Sequence, residues 1–160
     1  MAGARHRRYA LEDSFVITPA DETLLRRAIA LAAQAVTSGD APYGSLLADA
    51  DGAILVEAHN TVRRDNDISA HPELKLARWA ARDLTPAEAA RTTMYTSCQP
   101  CGMCTGGIVR SGLGRVVYAL ATQQLVELNP GSDWPTVPQE GPALFEEARV
   151  PIEDFYQPKR

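Results

Sequence analysis

Cysteine occurs three times in this 160-residue chain, at Cys98, Cys101 and Cys104, all within seven residues. No other feature constrains the fold as much. Thirty residues before Cys101, His71 opens the run His71-Pro72-Glu73, and Pro100 directly precedes Cys101. One imidazole and two thiolates are a borderline-soft donor set suited to zinc. The two-residue gap between Cys101 and Cys104, at the start of a predicted helix, turns both sulfurs toward one ion. Three protein ligands leave a fourth tetrahedral position for water, which marks a catalytic zinc. Helix N-termini also favour the thiolate form. Glu73, two residues past His71, is too close in sequence to be an obvious fourth ligand. It is well placed to meet the catalytic water and act as general acid and base, since zinc lowers the pKa of such a water to about 7.

The bland alternatives are a closed structural zinc, a set of buried thiols, or an iron–sulfur cluster suggested by the extended run Cys98-x-x-Cys101-x-x-Cys104. The run lacks the fourth cysteine typical of clusters, and Cys98 reads instead as a strand-end residue near the pocket. Three cysteines without an export signal point to a metal or redox site in a reducing compartment, so the cytoplasm is the expected location. The longest strictly apolar run, Ala28–Ala33, is six residues, where a membrane-spanning helix needs about 20. No membrane partner is expected.

Charge excludes a further class. The formal net charge is −4 and the pI about 5.4. Arg5, Arg7 and Arg8 account for three of the 16 basic residues, so the remaining 150 positions hold 13 bases against 20 acids, a formal −7. An acidic body opposes phosphate-backbone binding, and nucleic acid is not an expected partner. Hydrophobic residues at 45% and charged residues at 22% are ordinary for a globular domain.

Residues 1–160 are expected to form a single domain in which 1–18 is a solvated tail. From Asp21 to Ser38, Leu24, Leu25, Ala28, Ile29, Leu31, Ala32, Ala35 and Val36 recur at helical spacing, with Thr18 or Asp21 as cap and Gly39 as stop. The segments Tyr43–Asp49 and Ala53–His59 flank an Asp51-Gly52 turn and read as a hairpin. Pro72–Asp83 and Pro100–Ser111 read as helices, Thr92–Ser97 and Arg115–Ala121 as strands. Strands alternating with helices imply a parallel portion of sheet. Residues 130–142 pack four prolines and two glycines around Trp134, a loop of the length that is usually functional or disordered. Residues 143–160 form a C-terminal segment, with a short helix over Ala143–Arg149.

The chain resembles the zinc-dependent cytidine/nucleobase deaminase superfamily from about Pro42 to Ala121. Three stretches carry the likeness: His59-Asn60-x-Val62; Asn66-Asp67-x-Ser69-Ala70-His71-x-Glu73; and Tyr95-Thr96-Ser97-Cys98-x-Pro100-Cys101-x-Met103-Cys104. It is most similar to the bacterial guanine deaminase branch, with yeast-type cytosine deaminases next through Met103-Cys104-Thr105-Gly106. The resemblance implies a three-layer α/β/α fold with a five-stranded mixed sheet, and one zinc per chain on His71, Cys101 and Cys104 with a catalytic water. It also implies Glu73 as proton shuttle and Asn60 hydrogen-bonded to the substrate ring. It further implies a homodimer whose C-terminal segment contacts the partner subunit. Ser97, Gln99, Gln124, Pro72 and Trp134 are the remaining expected substrate contacts.

Several positions depart from the family pattern. Pro72 stands where the family usually has Ala or Gly, whose backbone N–H donates to the substrate, and proline has no such donor. This predicts a ring decorated differently from plain cytosine or guanine. Gln99 replaces the usual Glu, Ser45 a common Ala, and Gln124 falls near the acidic residue by which guanine deaminases hold their base. The expected activity is hydrolytic removal of an exocyclic amino group from a small aminoheterocycle, guanine-like first, with cytosine, pterins and triazines behind. The rivals are a tRNA adenosine deaminase, for which only Lys159-Arg160 supply C-terminal basic charge, and a non-catalytic zinc-binding subunit, which has no need of Glu73.

Overall fold

Helix α1 (Pro19–Thr37) starts where local chemistry makes a start cheapest. Thr18 Oγ1 accepts from the Asp21 N–H at 3.1 Å, and Asp21 Oδ2 accepts from the Thr18 N–H at 2.9 Å, a capping box that satisfies two otherwise orphaned donors. Pro19 takes the first helical position, where no N–H is needed. Of the two candidate caps, Thr18 is the one used. The computed structural model describes residues 16–129 and 137–157. The tail expected over 1–18 therefore lies outside the described residues up to position 15. So does 130–136, the part of the Pro/Gly-rich stretch that carries Trp134.

The chain divides into two compact units, Met1–Pro130 and Gly131–Arg160. In the first, α1 is followed by β1 (Gly44–Ala48), β2 (Ile54–His59), α2 (Val62–Asp65), α3 (Pro72–Asp83) and α4 (Pro86–Ala89). Then come β3 (Thr93–Cys98), α5 (Gly102–Ser111), β4 (Arg115–Leu120) and α6 (Thr122–Leu128). The sheet runs β2-β1-β3-β4. Strand β1 pairs antiparallel with both β2 and β3, while β3 and β4 are parallel across the α5 crossover. At the hairpin turn Asp49 Oδ1 accepts from the Asp51 and Ala53 N–H groups, and Gly52 takes the positive φ the turn requires.

Every residue of β1 is buried, because helices cover both faces of the sheet. Leu46 and Ala48, with Tyr95 and Val117, meet Leu25 and Leu31 of α1 on one face. Leu47 and Met94 meet Leu76, Ala77 and Ala80 of α3 and Ile108 of α5 on the other. Strand alternation sends neighbouring residues to opposite layers, and burial of each large aliphatic contributes about 1.5–3 kcal/mol. At Gly44 a Cβ would fall 2.4 Å from Ala32 N and 2.5 Å from Ala28 O, so β1 can approach α1 this closely only with glycine there.

The α/β architecture with a mixed sheet is as expected, but the sheet has four strands among the described residues, not five. After β4 the Thr122–Leu128 segment is helical. Among the described residues that follow, Pro138 and Pro142 cannot donate ladder hydrogen bonds. The described part of the second unit, 137–157, contains helix α7 (Phe145–Tyr156), longer than the 143–149 expected. It runs through Pro151, which forfeits one backbone bond. Within it Arg149 bridges Glu146 and Glu153, each at 2.7 Å. No described helix is long and apolar enough to cross a membrane.

Candidate active site

Two helix starts on the same face of the sheet bring the motif together. His71 is the N-cap residue of α3 and Cys101 that of α5, both with extended backbone. Pro72 takes the first position of α3, buried, and Glu73 and Cys104 sit in the first turns of their helices. His71 Nδ1 lies 3.8 Å from Cys101 Sγ and 3.6 Å from Cys104 Sγ. The three ligand atoms lie within 4.8 Å of one another.

These separations fit a zinc ion. A tetrahedron with Zn–S near 2.3 Å and Zn–N near 2.05 Å has an S···N edge of about 3.6 Å. Two thiolates and one imidazole are also the soft and borderline donors zinc prefers. Cys98 is a free buried thiol and is not in the ligand cluster. Burial, with Glu73 and Cys101 nearby, pushes the Cys104 thiol well above its ordinary pKa, so its thiolate form calls for a cation beside it.

Glu73 is only 5% exposed. Its Oε1 accepts from Thr96 Oγ1 at 2.9 Å, and its Oε2 lies 3.8 Å from Cys104 Sγ. One carboxylate oxygen is thus tied to the sheet and the other faces the ligand cluster. Burial raises the Glu73 pKa, with its own backbone N–H, Thr96 and His71 pulling the other way. A carboxyl raised toward neutrality is matched to taking up and returning protons.

A match to the cytidine and deoxycytidylate deaminase zinc-binding region covers residues 18–120. The chain belongs to this deaminase family. Guanine deaminase of Bacillus subtilis (strain 168) is 36% identical over 137 residues, 85% of this chain and 84% of that protein. The X-ray structure of guanine deaminase from Bacillus subtilis matches with a TM-score of 0.68 at 31% identity, covering 87% of this chain and 97% of that one. A probable cytosine deaminase of Schizosaccharomyces pombe is 32% identical over 112 residues, 70% of this chain and 67% of that protein. The tRNA(Ile)-lysidine synthase of Deinococcus radiodurans is 32% identical over 151 residues, 89% of this chain, and the chain spans 26% of that protein's length.

In this deaminase-family chain the other singled-out residues fall into two groups. Asn60 is 2% exposed. Its N–H donates to Tyr43 O at 2.9 Å, and its Oδ1 accepts from the Val62 N–H at 3.1 Å. That bond fixes the carboxamide so that its NH2 is the group left to present to a ligand. Ser97, buried, accepts from the Gly44 N–H at 3.1 Å. Gln99 and Gln124 are exposed and occupied locally: Gln99 Oε1 accepts from the Thr122 N–H at 3.0 Å, Gln124 Oε1 from the Ala121 N–H at 2.9 Å. Trp134 lies outside the described residues.

Two contributors went unnoticed in the sequence. Thr96 holds Glu73 from the sheet. Lys75 Nζ donates to His59 O at 2.8 Å and to Thr61 Oγ1 at 2.6 Å, bracketing Asn60. The available signal was position: Lys75 is one helical turn from His71, and Thr96 is a hydroxyl on the face of its strand that also carries Met94.

Proposed function

We propose that the protein is a zinc-dependent aminohydrolase that releases ammonia from a small aminoheterocycle, with a guanine-like nucleobase as the first candidate. The observation that carries the reading is the convergence of His71, Cys101, Cys104 and the buried Glu73 at two helix N-termini. Zinc held by His71, Cys101 and Cys104 supplies a water acidified to a pKa of about 7, a nucleophile at neutral pH. Glu73 takes one proton from the attacking water and gives it to the ring nitrogen beside the amine-bearing carbon. Once the new C–O bond has formed, Glu73 carries the hydroxyl proton to the amino group. The C–N bond breaks, ammonia leaves and a ring carbonyl remains. Asn60 orients the ring through its NH2, and Pro72 offers no N–H beside the metal ligands, which favours a ring without an acceptor at that edge.

A guanine-like ring stands first because a guanine deaminase is matched over most of both chains, 85% of this one and 84% of that one. The likeness to a tRNA(Ile)-lysidine synthase adds a tRNA stem-loop to the compounds worth assaying. The formal −7 outside the first ten residues weighs against it. The protein is further proposed to act in the cytoplasm as a homodimer, supported by the exposed apolar side chains of α7.

The test is ammonia release by zinc-loaded protein from guanine, cytosine, adenine, cytidine, guanosine, aminopterins, aminotriazines and an adenosine-bearing stem-loop. The expected result is release from one compound, reduced roughly 10²–10⁴-fold in Glu73→Ala with zinc retained. Silence across the set with one zinc per chain would sink the nucleobase reading.

A further inference from the structure

Ser45 of β1 and Thr96 of β3 are cross-strand partners in the antiparallel pair, and neither has any solvent exposure. They share strand parity with Leu47 and Met94, which pack under α3 and α5, so the two hydroxyls occupy core positions of the layer that carries the metal ligands. A hydroxyl buried there costs free energy unless it is hydrogen-bonded, whereas an apolar side chain would not. The bonds it makes are directional. Ser45 Oγ donates to Thr96 Oγ1 at 2.8 Å, and Thr96 Oγ1 donates to Glu73 Oε1 at 2.9 Å.

The order of that chain follows from chemistry. An ionised carboxylate can only accept, so the Thr96 proton points to Glu73 and the Thr96 lone pair is free to accept from Ser45. A hydrogen bond to a charged group is roughly twice as strong as a neutral one, and the Ser45 bond polarises it further. The two oxygens of Glu73 are therefore unequal: Oε1 is anchored to the floor of the sheet, and Oε2, 3.8 Å from Cys104 Sγ, is left on the ligand side. Glu73 has three rotatable side-chain bonds, and without an anchor much of its rotamer freedom would return.

We propose that Thr96, backed by Ser45, is the positioning residue for Glu73, fixing Oε1 so that Oε2 alone exchanges protons with the reacting groups. This rests on Glu73 being the proton shuttle. It assigns a role to two fully buried strand residues that lie outside the metal-ligand cluster.

The test compares zinc-loaded wild type with Thr96→Val, which keeps the shape and removes the hydroxyl, Thr96→Ser, which keeps the hydroxyl, and Ser45→Ala. Crystal structures of the four proteins are expected to show the Glu73 carboxylate in one place in wild type and Thr96→Ser, and displaced or split in Thr96→Val. On a compound that wild type turns over, kcat is expected to fall roughly 10- to 100-fold in Thr96→Val with KM unchanged. It should recover in Thr96→Ser and fall less in Ser45→Ala. Lost packing alone would lower stability without this split between kcat and KM.

A Glu73 carboxylate unmoved in Thr96→Val, or a Thr96→Ser variant as impaired as Thr96→Val, overturns the proposal. If Thr96→Val does not fold, Ser45→Ala decides: a wild-type kcat there overturns the relay. If no compound is turned over by wild type, the crystal comparison still decides the anchor, and the silence counts only against the deaminase reading.

Discussion

Lys75 illustrates how one side chain serves a site it does not enter. It projects from α3 one turn past His71, and its ammonium donates on either side of Asn60, to His59 O and Thr61 Oγ1. Thr61 Oγ1 in turn donates to Asp65 Oδ2 at 2.5 Å, so the helix that bears Glu73 also grips the loop that bears Asn60. Burial pulls the Lys75 pKa down, and Asp65 pulls it back up. The arrangement predicts that Lys75→Met lowers stability by about 1–2 kcal/mol and raises KM several-fold while leaving kcat within about twofold. Steady-state kinetics on the identified substrate check this; a fall in kcat at constant KM would move Lys75 from ring orientation to the proton transfers.

Among the elements, the start of α1 is tied to the parallel part of the sheet by one carboxylate. Asp21 is 3% exposed. It accepts from both Arg115 guanidinium nitrogens of β4, at 2.7 and 3.0 Å, and from the Tyr95 hydroxyl of β3 at 2.7 Å. Arg115 holds the Asp21 carboxyl well below its usual value of 3.8. Burial and Asp21 together push Tyr95 up to about 12. With the folded pKa depressed, the stabilisation is full above the unfolded value and is lost as pH falls through the folded one. Asp21→Asn is expected to cost about 2–3 kcal/mol at neutral pH. Denaturant titrations at falling pH should see that gap close below about pH 4; a gap that persists unchanged would assign the loss to packing instead.

For the whole molecule, the question is what covers α7. Phe145, Ile152, Phe155 and Tyr156 are all more than half exposed, and Phe155 and Tyr156 meet edge to face at 4.9 Å. Apolar surface of this kind marks an interaction site, and the proposed homodimer supplies the occupant. Sedimentation velocity is expected to give a dimer for the wild-type protein. Phe155→Glu should shift it toward monomer, because burying the new charge without a partner is costly. A monomer at all concentrations would remove the homodimer from the proposal.

What the sequence determined by itself was chemistry fixed by local order. His71, Cys101 and Cys104 declare a zinc set through donor type and spacing, and Thr18, Gly39 and Asp51-Gly52 mark helix ends and a turn because caps and turns depend on neighbouring residues. The four strands and the helices bearing the ligands were legible from periodicity for the same reason. Tertiary structure alone decided which hydroxyl faces Glu73, which cation brackets Asn60, and that Gln99 spends its side chain on the Thr122 backbone. It also decided that the described sheet stops at four strands. Those outcomes depend on register and on contacts between residues far apart in the chain, such as Ser45 with Thr96 and Asp21 with Arg115. A one-residue slip in pairing would send every such side chain to the opposite face.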